Sequence, residues 1–564
     1  MDYTDRYKFW CNAGLSDDVQ AELKSIEANE EELKSRFGSD LQFGTAGMRG
    51  IMGAGSNRLN KYTVRRAAQG MAAWLASTDL PKTAAIGYDS RHNSQLFAEV
   101  CAVAFAEAGI RTYLYDRLAP TPMLSFAVRK LGCGCGIVIS ASHNSGEYNG
   151  VKCYGPDGCQ MTDEPASIVT ECISKIPYFV PETRSFAEFM NEGLIQYIGQ
   201  DIWEAYYETV MAEAVDPEML RASGLEIVYT PLCGTGNEPV REVLNRLNVN
   251  IHIVGCQEQP DGDFKTCEYP NPETDAALAE SYKVADKVRC DVILGTDPDC
   301  DRVAIAVPTA DGYQKLSGNE LGCLLLDYIL KARSARNDIP EGAIAVRSIV
   351  SSPLADRVAE SYGITMKAVL TGFKYIGGEI LSLENVGQEN KFIFGFEESC
   401  GYLKGTYARD KDAVVASMLI CEMAASLKKD NMTILDALHH LYERHGQFLS
   451  KVQSIELSGA DAMEKAAKMM ADLRCDAPSA IGGAQVTAVR DYKIRTERNL
   501  LTGEEKTIDL PSSNVLEFVL GQQGSVIARP SGTEPKVKFY YTAVGKTKAE
   551  AQDLLDKMVK QMSV

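Results

Sequence analysis

Short, predominantly apolar runs of strand length recur along this chain, and polar loops follow them. Thr83–Tyr88, Gly136–Ile139, Leu225–Tyr229, Asp291–Leu294, Ala343–Ile349 and Phe392–Gly395 are the clearest. A strand that is apolar at successive positions, not alternate ones, is buried on both faces, and that is the mark of a parallel sheet covered by helices. The stretches between them supply those helices: Leu59–Ser77, Gln95–Ala108, Pro120–Leu131, Pro239–Leu247, Thr274–Val288, Glu320–Lys331 and Pro353–Tyr362 carry helical apolar spacing. Further strands are read at Arg111–Tyr115, Asn250–Val254, Val303–Val307 and Thr365–Val369. The alternation predicts an α/β protein with its chemistry in the loops that leave the strands.

The chain has 564 residues, more than the ~250–300 at which one core stops growing. The rhythm divides it into three similar α/β domains, 1–210, 211–311 and 312–445. The remainder, 446–564, differs: strands dominate from Ala484 to Val544 and one helix, Lys548–Met562, closes it, which predicts an α+β domain. In the first domain Asp17–Phe37 reads as one charged helix, and Ile202–Ala214 as the helix leading out.

The net charge is −19. So acidic a chain is not built to coat nucleic acid or an anionic membrane. If it handles phosphate esters, Arg and Lys must gather in a cleft against the global sign. The sixteen cysteines include no C-x-x-C pair and read as small buried residues in a reducing compartment. The N-terminus lacks an apolar signal core. Ala413–Ala425 is short and interrupted by Glu422, so it reads as a buried helix and not a span. The expectation is a soluble, cytoplasmic protein.

Four polar loops carry candidate chemistry. In Ser140-Ala-Ser-His-Asn144, the Ser142 hydroxyl can carry a phosphoryl group if a base and cations are near; His143 and Lys152 are close in sequence. Alone, Ser142 is an ordinary turn residue. In Asp297-Pro-Asp-Cys-Asp301, three carboxylates at alternate positions can converge on one hard cation, and oxygen ligands favour magnesium. Arg302 and an apolar strand follow where an EF-hand needs glycine and glutamate. In Glu397-Glu-Ser399, carboxylate and hydroxyl suit sugar hydroxyls, which both donate and accept. In Arg529-Pro-Ser-Gly-Thr533, an arginine fork, a glycine that frees backbone N–H groups, and two hydroxyls suit a phosphate. There is no nucleotide P-loop, and Gly234-Thr-Gly236 has two glycines of a dinucleotide fingerprint without the third.

Taken in order, from Phe43-Gly-Thr-Ala-Gly-Met-Arg49 to Arg529-Pro-Ser-Gly-Thr533, these loops resemble those of the α-D-phosphohexomutase superfamily, the family of phosphoglucomutases and phosphomannomutases. Gly87-Tyr-Asp-Ser-Arg-His-Asn-Ser94, Thr371-Gly-Phe-Lys-Tyr-Ile-Gly377 and Arg409-Asp-Lys-Asp412 are similar to the branch holding bacterial phosphoglucomutases and phosphopentomutase-type enzymes. The resemblance implies four domains around a central cleft, the last TATA-binding-protein-like. It makes Ser142 the phosphoserine, and Ser142 with Asp297, Asp299 and Asp301 the magnesium site. Arg49, Lys152 and His143 become catalytic groups. Thr45, Arg302, Lys374, Glu397, Ser399, Arg409, Arg529, Ser531, Gly532 and Thr533 become substrate-binding residues. The implied reaction interconverts glucose 1-phosphate and glucose 6-phosphate, with glucose 1,6-bisphosphate as intermediate and primer and sugar phosphates as partners.

Ser140, Ser145, Cys300 and Cys400-Gly-Tyr402 depart from the pattern of many relatives, which leaves mannose and pentose phosphates open as substrates and raises redox sensitivity at Cys300. Two other readings stand beside this one. Asp299 could carry the phosphoryl group as an acyl phosphate, or the chain could be a sugar-phosphate sensor without turnover.

Overall fold

The five residues Cys135–Ile139 are all buried, as are Val292–Thr296. Neither run alternates, so both must be sandwiched between helices, and the computed structural model shows them as strands of two helix-covered sheets. The structure describes residues 2–44, 47–458, 462–531 and 536–563. The described chain forms two units, Met1–Gly318 with Ile376–Asn431, and Asn319–Tyr375 with Met432–Val564.

The first unit contains β1 (Gly47–Ile51), β2 (Thr83–Tyr88), β3 (Arg111–Leu114), β4 (Cys135–Ile139), β5 (Tyr148–Tyr154), β6 (Ile195–Tyr197), β7 (Glu226–Thr230), β8 (Asn250–Ile253), β9 (Val292–Thr296), β10 (Val303–Thr309) and β11 (Gly312–Lys315). They form a six-stranded sheet in the order β1-β5-β4-β2-β3-β6 and a five-stranded sheet in the order β11-β10-β9-β7-β8. In both, a parallel core turns antiparallel at one edge: β4 pairs parallel with β2 but antiparallel with β5, and β9 pairs parallel with β7 but antiparallel with β10. The Ser142 and Asp297–Asp301 loops are therefore the turns of hairpins, not the usual strand-to-helix turns. A third hairpin, Phe392–Glu397 with Gly401–Leu403, carries Glu397 and Ser399 in the same way. Helix Ala413–Lys429 is buried nearly throughout, and no described helix is long and apolar enough to cross a membrane.

The second unit has a parallel pair, Ile344–Ser348 with Thr365–Val369, and a seven-stranded antiparallel sheet that includes, side by side, the strands Lys536–Gly545, Gly524–Pro530 and Leu516–Val519. Phe518, Val526, Phe539, Tyr541 and Met558 form its core.

The α/β class read from the sequence holds; several elements differ. Asp17–Phe37 is two helices, Asp17–Ser25 and Glu30–Phe37, because Asn29 leaves the helical conformation and caps the second by accepting from the Glu32 N–H. A helix at Tyr3–Cys11 precedes them. The last region has a second helix, Ala462–Cys475. Strands β1 and β5 were not legible, because glycines interrupt their apolar pattern; Gly150 is needed there, since a Cβ would lie 2.6 Å from the Ser140 carbonyl.

Candidate active site

Each of the three hairpin turns contains a non-glycine residue in the left-handed region: Ser142 (φ 52°), Cys300 (φ 53°) and Cys400 (φ 60°). Such backbone is costly for ordinary residues and persists where surrounding contacts hold it. The Ser142 turn is held from below by Arg91. Its guanidinium donates through Nη1 to the carbonyls of Ser145 (2.7 Å) and Tyr148 (3.0 Å), and through Nη2 to those of Ser142 (2.6 Å) and Asn144. Asp89, buried below, pairs with Arg91 at 3.3 Å, and the Phe264 ring covers the guanidinium at 4.9 Å. The Ser142 N–H donates to Ser140 Oγ at 2.8 Å.

So held, Ser142 points its hydroxyl at the acidic loop. Its Oγ donates to Asp297 Oδ2 at 2.7 Å and lies 3.1 Å from His143 Nδ1. Burial, with Arg302 and Arg49 close by, pushes His143 well below the usual imidazole range, so it is neutral at pH 7. Arg49, on β1, donates to Asn144 Oδ1 at 3.0 Å. Lys152, on β5, is bonded to Asp299 Oδ2 at 2.5 Å and to Asp301 Oδ2 at 3.3 Å. The pairing of β1 with β5, which sets Arg49 opposite Gly150, puts both cations on one sheet edge beside the Ser142 turn.

Asp297, Asp299 and Asp301 are buried and offer oxygens within 4.8 Å of one another. Burial and its two neighbours push Asp297 well above the usual carboxylate range. Burial acts on Asp299 in the same sense, but the Lys152 ammonium and the Thr121 hydroxyl hold it below that range. Burial opposes the charge of Lys152 and Lys411, yet the surrounding carboxylates outweigh it and both stay protonated. Asp299 Oδ1 and Asp301 Oδ1 are buried without a hydrogen-bond partner. Orphaned, converging carboxylate oxygens with hard-donor chemistry fit a divalent cation such as magnesium.

The other sequence-derived candidates are distributed as follows. Arg302 donates to Glu273 (3.1 Å) and to the Ser399 carbonyl (3.3 Å), tying the acidic turn to the turn that holds Ser399; Glu397 is buried at the end of its strand. Arg409 is not brought to the acidic loop. Its guanidinium is buried and donates to Glu384, Ala408 O and Thr406 O. The cation that the Arg409–Asp412 segment sends to the loop is Lys411, 3.2 Å from Asp301 Oδ2 and 2.9 Å from Asp410. Lys374, Arg529 and Ser531 lie on the second unit, Arg529 at the end of strand Gly524–Pro530. Thr45, Gly532 and Thr533 lie outside the described residues. Cys300 is fully buried and burial pushes its thiol well up, an environment that disfavours the reactive thiolate. Sequence reasoning missed Lys411, Arg91 and Thr121. The first two sat in segments already singled out; Thr121 gave no signal beyond a helix start.

Four family models match in order: phosphoglucomutase/phosphomannomutase alpha/beta/alpha domain I over residues 40–178, domain II over 204–312, domain III over 317–444, and the C-terminal domain over 473–561. A phosphoglucomutase of Staphylococcus epidermidis is 36% identical over 512 residues, covering 90% of this chain and 92% of its own. Among solved structures, a phosphoglucomutase/phosphomannomutase family protein from Burkholderia thailandensis superposes with a TM-score of 0.68 at 17% identity, covering 93% of this chain and 97% of its own. The parafusin phosphoglucomutase of Paramecium does so with a TM-score of 0.66 at 16% identity, covering 93% and 94%. The chain belongs to the phosphoglucomutase/phosphomannomutase family.

Proposed function

We propose that this protein is a phosphoglucomutase, interconverting α-D-glucose 1-phosphate and glucose 6-phosphate through phosphorylated Ser142 and a glucose 1,6-bisphosphate intermediate. The observation that carries this is the Ser142 hydroxyl, presented from a left-handed turn 2.7 Å from Asp297 and flanked by His143, Arg49 and Lys152. In the forward half-reaction the P–O bond to Ser142 Oγ breaks as one forms to the free hydroxyl oxygen of the sugar monophosphate, whose proton passes to the protein. In the second half the bisphosphate's other phosphoryl group moves onto Ser142 Oγ. Neutral His143, in contact with that oxygen, can take or return a proton there. Arg49 and Lys152 stabilise the transferring charge and fix the turn and the carboxylates around it. Asp297, Asp299 and Asp301, with an oxygen on phosphorylated Ser142, would hold magnesium, which when bound neutralises charge on the phosphoryl oxygens.

Glu397 and Ser399 read the sugar hydroxyls. Arg529, Ser531, Gly532 and Thr533 hold the distal phosphate, and Thr45, Arg302 and Lys374 are further substrate-binding residues. Arg409 acts by bracing the segment that bears Lys411. Bisphosphate that escapes leaves Ser142 unphosphorylated, so free glucose 1,6-bisphosphate serves as primer. Sugar-phosphate chemistry and sixteen free thiols suit a reducing cytoplasm. The test is a panel of glucose, mannose and pentose 1-phosphates assayed with magnesium and glucose 1,6-bisphosphate. Glucose 1-phosphate is expected to give the highest kcat/KM; a higher value for mannose or a pentose would overturn the substrate assignment.

A further inference from the structure

The acidic turn is gripped by its backbone. Three successive carbonyls each accept an N–H from the start of a different helix. Pro298 O takes the Thr235 N–H (2.8 Å), just before helix Asn237–Arg246. Asp299 O takes the Thr121 N–H (2.9 Å), at the first residue of helix Thr121–Lys130. Cys300 O takes the Ala413 N–H (3.3 Å), at the first residue of helix Ala413–Lys429. The positive ends of three helix dipoles therefore face a loop bearing three carboxylates. Gly234 and Gly236, which have no dinucleotide to serve, make room for this: a Cβ on Gly234 would lie 2.4 Å from Pro298 Cα, and one on Gly236 2.9 Å from Cys300 Sγ.

The side chains are sorted as well. Asp297 Oδ1 accepts from the N–H groups of Asp301 (3.1 Å) and Arg302 (3.0 Å). Asp299 Oδ2 accepts from Lys152 and from Thr121 Oγ1 (2.8 Å). Asp301 Oδ2 faces Lys152 and Lys411. One oxygen of each carboxylate is thus anchored to protein donors. Of the three others, Asp297 Oδ2 faces Ser142, Asp299 Oδ1 is buried without a hydrogen-bond partner, and Asp301 Oδ1 has only the Arg302 guanidinium, 3.7 Å away and not hydrogen-bonded to it.

We infer that Thr121 is a positioning residue for the cation site: its hydroxyl fixes the Asp299 carboxylate so that Oδ1 is the oxygen offered to the ion. Lys152 also reaches Asp299 Oδ2, but it is a long side chain shared with Asp301. Thr121 is short, β-branched and fully buried at a helix start, where its own N–H grips the Asp299 backbone. It fixes the rotamer, and the lysine supplies charge. This inference rests on the magnesium site proposed above.

The test is Mg²⁺ binding to the full-length, dephosphorylated protein by titration calorimetry, for wild type, Thr121→Val and Thr121→Ser, with thermal unfolding to confirm that each variant is folded. Partners of metal ligands typically govern ~10–100-fold in affinity. Thr121→Val, which keeps the shape and removes the hydroxyl, is expected to weaken binding about tenfold or more, and Thr121→Ser to restore most of it. The apparent KM for Mg²⁺ in turnover should rise in parallel for the valine variant. Wild-type affinity in Thr121→Val, or an equal loss in Thr121→Ser, would overturn the role of the hydroxyl and leave the metal site standing. Absence of Mg²⁺ binding by wild type would overturn the metal site itself.

Discussion

Arg91 is the residue on which the geometry of the Ser142 turn most depends, and replacing it with lysine isolates that dependence. The arginine uses two nitrogens, each serving two carbonyls of the turn. Lysine keeps the charge opposite Asp89 but has one nitrogen, so two of the four carbonyls lose their partner. Hydrogen bonds to a charged group contribute ~1.5–3 kcal/mol each, so the loss is about 3 kcal/mol at the lower end of that range. If all of that lower-end figure falls on the placement of Ser142 Oγ, the rate effect is ~100-fold, since ~1.4 kcal/mol is tenfold. Arg91 is buried and spends its guanidinium on the turn carbonyls, so the effect is expected in kcat. Steady-state kinetics of Arg91→Lys on glucose 1-phosphate, with primer and saturating magnesium, should show kcat reduced ~10–100-fold and KM changed by less than about threefold. A kcat within about threefold of wild type would refute the claim that these four carbonyl contacts set the position of the nucleophile.

Two further substitutions test the electrostatics. Lys411→Met removes one of two cations on Asp301 Oδ2 and leaves buried negative charge behind, so it should destabilise the protein by ~3 kcal/mol in urea titrations at low magnesium; an unchanged midpoint would contradict the pairing. Glu422 sits inside helix Ala413–Lys429, where it accepts the N–H groups of Val215 (2.8 Å) and Asp216 (2.9 Å), and burial pushes its carboxyl up to about 7. A carboxyl with a raised folded pKa takes up a proton on folding, so its contribution to stability is present at low pH and is lost as pH rises from the usual carboxylate range through about 7. Glu422→Gln should flatten that part of the pH–stability profile; the same slope in the variant would assign it to other groups.

Much of the site was legible in the sequence because its chemistry is concentrated in contiguous turns. The buried strands before them drew attention to the turns that carry Ser142, His143 and the three aspartates, since a strand buried on both faces fixes where its exit loop emerges; the roles proposed for these residues came from the family resemblance. What stayed hidden depends on contacts between distant segments. Nothing in Pro120-Thr-Pro122 reveals that the helix it starts will meet Asp299, 178 residues away. In Arg409-Asp-Lys-Asp412, composition cannot tell which cation faces the carboxylates. Arginine is the better phosphate fork, yet Glu384 captures it and Lys411 is left for Asp301. Strands β1 and β5 were obscured by the glycines that let them approach their neighbours. The same close packing explains Gly234 and Gly236, whose spacing suggested a nucleotide motif but serves the acidic turn.

The central claim is that Ser142 carries the phosphoryl group. The most direct measurement incubates the protein with glucose 1,6-bisphosphate, maps the phosphorylated peptide by mass spectrometry, and tests its stability to hydroxylamine and its discharge by glucose 1-phosphate. The account predicts a hydroxylamine-stable phosphate on Ser142, discharged to the sugar, and neither phosphate nor turnover in Ser142→Ala. A hydroxylamine-labile phosphate on Asp299, or full turnover in Ser142→Ala, would contradict it.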